Sequence, residues 1–101
     1  MKMLMHVTFP HEPYNTLVKK GTAVILLDEI LEEIKPFSAW FTEENGRRAA
    51  ILIVNVTNAS VIPIYSEPFH LNFNADVHFR IAMSPEDLAN SGLEGLGKKW
   101  N

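Results

Sequence analysis

The chain has no cysteine, which excludes structural disulfides, thiolate nucleophiles and cysteine-ligated zinc. It also lacks a long apolar run. No stretch approaches the roughly 18 apolar residues that mark a membrane-crossing helix, so no membrane partner is expected. Basic residues are few and scattered. The close pairs are Lys19-Lys20, Arg47-Arg48 and Lys98-Lys99, in a chain of net charge −3. A nucleic-acid binder displaces counterions from phosphates with a basic stripe, so no nucleic acid is expected as partner. Glycine and proline number only 5 and 6, and no repeat, linker or low-complexity segment interrupts the chain. Met1 to Pro10 holds one lysine and a short apolar run broken by His6 and Thr8. It lacks the apolar core and small-residue cleavage site of a signal peptide, so the expected location is cytoplasmic.

What is present is ordinary for a folded domain: 47% hydrophobic and 21% charged residues over 101 positions, enough for one domain with a thin core. Met3, Met5, Val7 and Phe9 alternate with Leu4, His6 and Thr8, the period of a β-strand, ended by Pro10 and Pro13. From Tyr14 to Ile34 the apolar residues Leu17, Val18, Val24, Leu27, Ile30, Leu31 and Ile34 recur at helical steps. Pro36 closes that helix. Gly21 within it marks either a close approach to the sheet or a break that shortens the helix. Phe37 to Thr42 alternates as a second strand. Asn45-Gly46 between two apolar runs is a strong hairpin signal. Arg48 to Val56 is apolar on both sides, as expected of a central strand.

A short second helix is expected over Ala59 to Glu67, followed by a connection from Phe69 to Asn74. Ala75 to Met83 reads as the fourth strand, with Val77, Phe79 and Ile81 opposite Asp76, His78 and Arg80. Ser84-Pro85-Glu86-Asp87 has the cap, first-turn proline and near capping box of a helix start. Gly92, Gly95 and Gly97 argue for an irregular tail, docked through Trp100 on its own chain or on a partner. The expected fold class is therefore α+β: a single domain, residues 1–101, with a split βαββαβ core over 3–83 and a C-terminal helix and tail over 84–101. The four-stranded antiparallel sheet has spatial order 4-1-3-2 and helices on one face.

Helices on one face leave the other uncovered. The helix-facing set is Met3, Met5, Val7, Phe9, Phe37, Ala39, Phe41, Leu52, Val54, Val56, Val77, Phe79 and Ile81. The reverse face carries Leu4, His6, Thr8, Trp40, Ala49, Ile51, Ile53, Asn55, Asp76, His78 and Arg80. It is too apolar for water and too polar for a plain core, which points to an interface or a ligand groove. The strand and helix order over residues 3 to 83, the Asn45-Gly46 hairpin and the two-sided third strand resemble the dimeric α/β-barrel superfamily of ferredoxin-like subunits, and most closely its small uncharacterised members. The resemblance implies a homodimer whose sheets pack face to face around a cavity in each subunit. The superfamily includes isomerases, cofactor-free monooxygenases, dehydrochlorinase-like and stress-responsive proteins, and the fold does not choose among them. No motif here matches theirs residue for residue.

On the residues themselves, His6 and His78 lie on neighbouring strands, with Asp76 and Arg80 flanking His78. A histidine oriented by a carboxylate is a general base near neutral pH, which makes His78, His6 and Asp76 the candidate catalytic set. Arg80 is a candidate clamp for a substrate carboxylate, Trp40 a flat apolar wall, and Asn55 and Thr8 further candidate binding groups. The competing reading is structural: charges on an edge strand discourage aggregation, Asp76 and Arg80 form an ion pair, and Trp40 packs an interface. His11-Glu12 reads as a solvated loop and His70 as structural. Four histidines without a close motif give no metal site, and no cofactor is expected. Two functions remain open. One is a homodimeric protein that binds a small organic ligand at the open sheet face. The other is a small cofactor-free enzyme, an isomerase, lyase or monooxygenase, using a cavity histidine as base.

Overall fold

A computed structural model describes residues 1–101. Its elements in order are β1 (Lys2–Thr8), α1 (His11–Lys19), α2 (Ala23–Ile34), β2 (Ser38–Glu44), β3 (Arg47–Asn55), a 3-10 turn (Ala59–Val61), α3 (Ile62–Phe73), β4 (Asp76–Ile81), α4 (Pro85–Ala89) and α5 (Leu93–Lys99). The four strands form one antiparallel sheet in the order β2-β3-β1-β4. This is an α+β architecture with the strand order expected from the sequence. No helix is long and apolar enough to cross a membrane.

The two-residue periodicity of the strands fixes which side chains meet the helices. Met5 and Val7 of β1, with Phe9 just beyond it, and Leu52 and Val54 of β3 are shut off from water, together with Leu27, Ile30 and Ile34 of α2 and Phe69 and Phe73 of α3. Phe9 is the hub of the aromatic packing. Its ring centroid lies 5.1 Å from Tyr14, 5.1 Å from Phe73 and 6.1 Å from Phe69, all in edge-to-face orientations that suit the ring quadrupoles.

The structure corrects four expectations. The long helix over Tyr14 to Ile34 is two helices. Gly21 takes a left-handed φ of +74° and Thr22 N–H donates back to the Leu17 carbonyl at 2.9 Å, a terminating motif that glycine favours. Phe69 to Asn74 is no connection. Helix α3 runs through Pro68 to Phe73, because burial of Phe69 and Phe73 outweighs the hydrogen bond that Pro68 cannot make. Asn74 then ends the helix in the left-handed region, and His70 Nδ1 lies 2.8 Å from the Ala75 carbonyl. The tail is not irregular: α4 begins with a complete Ser84–Asp87 capping box, and α5 follows despite Gly95 and Gly97. Lastly, Phe37, Phe41 and Ile81 lie on the helix-facing side but stay largely exposed. The helices cover the middle of the sheet and leave the outer strand β2 and the end of β4 open.

Residues beyond Met83 stand apart from the body. Every residue from Ser84 to Asn101 is exposed. The molecule measures 59 × 28 × 19 Å with a radius of gyration of 17.1 Å, against about 13 Å for a compact chain of this length. The tail is an arm, and Trp100, 77% exposed, docks on nothing within its own chain.

Candidate functional site

The strand register lays the open face out in rows. Trp40 of β2 pairs with Ile51 of β3, Ile51 with His6 of β1, and His6 with His78 of β4. One row toward the hairpin run Thr42, Ala49, Thr8 and Asp76; one row away run Ser38, Ile53, Leu4 and Arg80. Directly opposed side chains in such a ladder have Cβ atoms about 5 Å apart, so His6 and His78 are true neighbours. No helix lies over these rows. Trp40 is 69% exposed, and Leu4, Ile51 and Ile53 are half-buried.

At the hairpin end of this face lies a polar basin of about 360 Å³ lined by His6, Thr8, Glu44, Asn45, Arg47 and His78. Its construction follows from the turn. Asn45 and Gly46 both have positive φ, 53° and 78°, which makes a two-residue turn of the mirror-image type that matches strand twist. So tight a turn carries β2 as far as Glu44 and starts β3 at Arg47. Glu44 then falls on the same face as Trp40 and Thr42. Its Oε2 comes within 2.6 Å of His6 Nε2, a contact that spans two strand spacings across β3. Ala49, the β3 residue lying between the two, is small enough to pass beneath. It is 1% exposed although no helix covers this face. His6 Nε2 is sealed from solvent and forms no well-aligned hydrogen bond, Glu44 being its close neighbour.

Of the residues expected at a site, His6, His78 and Thr8 come together in the basin. Trp40 shares the His6 row but lies two strands away. Arg80 is one row removed and does not line the basin. Asp76 sits beside Thr8, and neither His78 nor Arg80 forms an ion pair with it. Glu44 is the carboxylate that meets a histidine, and the histidine is His6. Asn55 lies at the opposite end of the sheet, across from Lys2, where its Oδ1 accepts from the Met1 amino group at 3.1 Å. That role is structural. Glu44, Asn45 and Arg47 lie outside the expected set, since the alternation places the second strand only to Thr42 and the third from Arg48, whereas β2 runs to Glu44 and β3 starts at Arg47. The signal was available: a two-residue Asn-Gly turn implies strand up to Glu44. His11 and Glu12 are exposed at the front of α1, where Glu12 is extended (φ −114°, ψ 141°) rather than helical; its carboxylate accepts from Thr16 Oγ1 at 2.6 Å, which holds it below the usual range. No three His, Asp or Glu side chains converge as metal ligands would.

Two further hollows flank this face. A cleft of about 470 Å³ lies in the crook where the arm leaves β4, bounded by Lys2, Ile81, Met83 and Asp87. A groove of about 280 Å³ runs between β2 and α2 on the helix side, walled by Tyr14, Val24, Leu27 and Phe41. Arg48 stacks 4.3 Å over the Tyr14 ring. Burial pushes the Tyr14 hydroxyl above its ordinary pKa, and the Arg48 charge partly offsets that. Compared with known proteins, the chain matches no family model, no curated protein and no solved structure.

Proposed function

We propose that the chain is one subunit of a homodimeric small-molecule-binding protein whose two open sheet faces pack together and enclose a cavity in each subunit, as in the ferredoxin-like dimeric α/β barrels its sequence resembles. One observation carries this reading: a row running from apolar to polar, Trp40-Ile51-His6-His78, on a face that no part of its own chain covers. A contiguous apolar patch on a small protein marks a contact surface, and half of this row is apolar. The other half opens into the basin, where Arg47, Asn45 and Thr8 offer donors and His6 and His78 offer groups that donate or accept. A small organic molecule carrying a carboxylate or an aromatic ring suits this mixture of apolar wall and polar floor. Sedimentation tests the pairing: a dimer at micromolar concentration is expected, and a monomer refutes it. Thermal melting against a panel of aromatic carboxylates tests the site. A stabilising ligand should lose most of its effect in His78→Ala, and an unchanged shift removes His78 from the site.

A second reading rests on the His6–Glu44 contact. A carboxylate that positions an imidazole is the arrangement of a general base, and it favours a cofactor-free isomerase, lyase or monooxygenase with His6, rather than His78, as the base. Turnover of a bound ligand that disappears in His6→Ala and falls in Glu44→Gln is the expected signature.

A further inference from the structure

The arm formed by α4 and α5 is apolar on one side and exposed along its whole length. Leu93, Leu96 and Trp100 fall at helical steps of three and four, and each is close to half exposed or more. An amphipathic helix with an uncovered stripe is a docking element in search of a groove. The same chain carries an unfilled apolar groove between β2 and α2, lined by Val24, Phe41 and Tyr14, with Val24 and Phe41 largely exposed.

Charge selects between that groove and the open sheet. Helix α2 bears Asp28, Glu29, Glu32 and Glu33 and no basic residue; Asp28 lines the groove with Arg48 of β3, and the other acids lie along the helix beside it, whereas α5 ends in Lys98 and Lys99 beside Trp100. The open face offers no comparable run of acids. The arm leaves β4, at one edge of the sheet, and the groove lies under β2, at the other edge. A twofold axis running along the strands between two stacked sheets sets the β4 edge of one protomer beside the β2 edge of its partner, so an arm starts next to the partner's groove.

We propose that the C-terminal arm of one protomer seats in the β2–α2 groove of a second copy of the chain, with Leu93, Leu96 and Trp100 against Val24 and Phe41 and with Lys98 and Lys99 facing the acids of α2. The exchange is reciprocal, as a twofold pair requires. This assignment rests on the face-to-face dimer and adds the strap that closes it.

The absence of cysteine makes a clean test. Full-length Asn101→Cys, which keeps Trp100, and Val24→Cys proteins are mixed and treated with a short bis-maleimide, which finds no other thiol. A covalent dimer containing one chain of each variant is the expected product, and Trp100→Ala should weaken dimerisation by about tenfold, as loss of a buried aromatic anchor does. Three results overturn the proposal: no mixed product, an intramolecular product in the double variant, or preferential linkage of Asn101→Cys to Ile53→Cys on the open sheet. Sedimentation of the unmodified protein separates the two ideas. A dimer that fails to cross-link sinks the strap and leaves the face-to-face pair standing, whereas a monomer sinks both.

Discussion

Leu52 and Ile51 are adjacent in the sequence and alike in size, yet Leu52 is sealed under the helices while Ile51 faces outward between Trp40 and His6. The same contrast holds along β1, where Met5 and Val7 are shut away and Leu4 and His6 are partly open. One strand thus feeds two surfaces of different purpose. The helix side is close-packed, and its residues hold the domain together. The reverse side contributes little to the isolated chain, and its apolar residues are available for contact.

That contrast is sharpest at the adjacent pair itself. Leu52→Ala should destabilise the monomer by about 2–5 kcal/mol, as cavity formation in a sealed core does. Ile51→Ala, measured by urea unfolding at a concentration low enough to keep chains apart, should cost less than half as much. Equal losses at the two positions would mean that the reverse face is core after all. Next in size is Ala49→Leu, which fills the space beneath the His6–Glu44 contact. Overpacking of this kind costs about 1–3 kcal/mol, and it should abolish the coupling between His6 and Glu44. That coupling, read by a double-mutant cycle with His6→Ala and Glu44→Ala, is expected near 0.2–1 kcal/mol because both side chains are partly exposed. A value of zero would reduce the contact to coincidence.

The smallest effect concerns the arm. Hydrogen bonds to Ser84 hold the Asp87 carboxyl below its ordinary pKa. The capping box therefore stabilises α4 fully above the ordinary carboxylate pKa and loses that contribution as pH falls through the depressed value. Amide resonances of Pro85–Ala89 neighbours should report fraying of α4 in acid while the sheet stays intact. Simultaneous loss of both would join the arm to the body.

Local rules reached far into this fold. Alternation in β1, β3 and β4 assigned the buried and open sets, and Asn45-Gly46 located the hairpin. Ser84 and Asp87 marked the start of α4. Proline and glycine misled where long-range burial opposed them. Pro68 sits inside α3 because Phe69 and Phe73 complete the aromatic core around Phe9, a contact about 60 residues away along the chain. The helix α5 forms in spite of its glycines and without any buried residue.

The sequence by itself determined which side chains share a face, because the two-residue repeat of a strand is local and unavoidable. Only the tertiary structure decided that Glu44 rather than Asp76 meets a histidine. Reach across an intervening strand depends on register, on the small size of Ala49 and on where the turn lets β2 end. It also decided that the arm stands free, since the direction in which a helix leaves its domain is fixed by the few contacts at its root and is not written in the period of its residues.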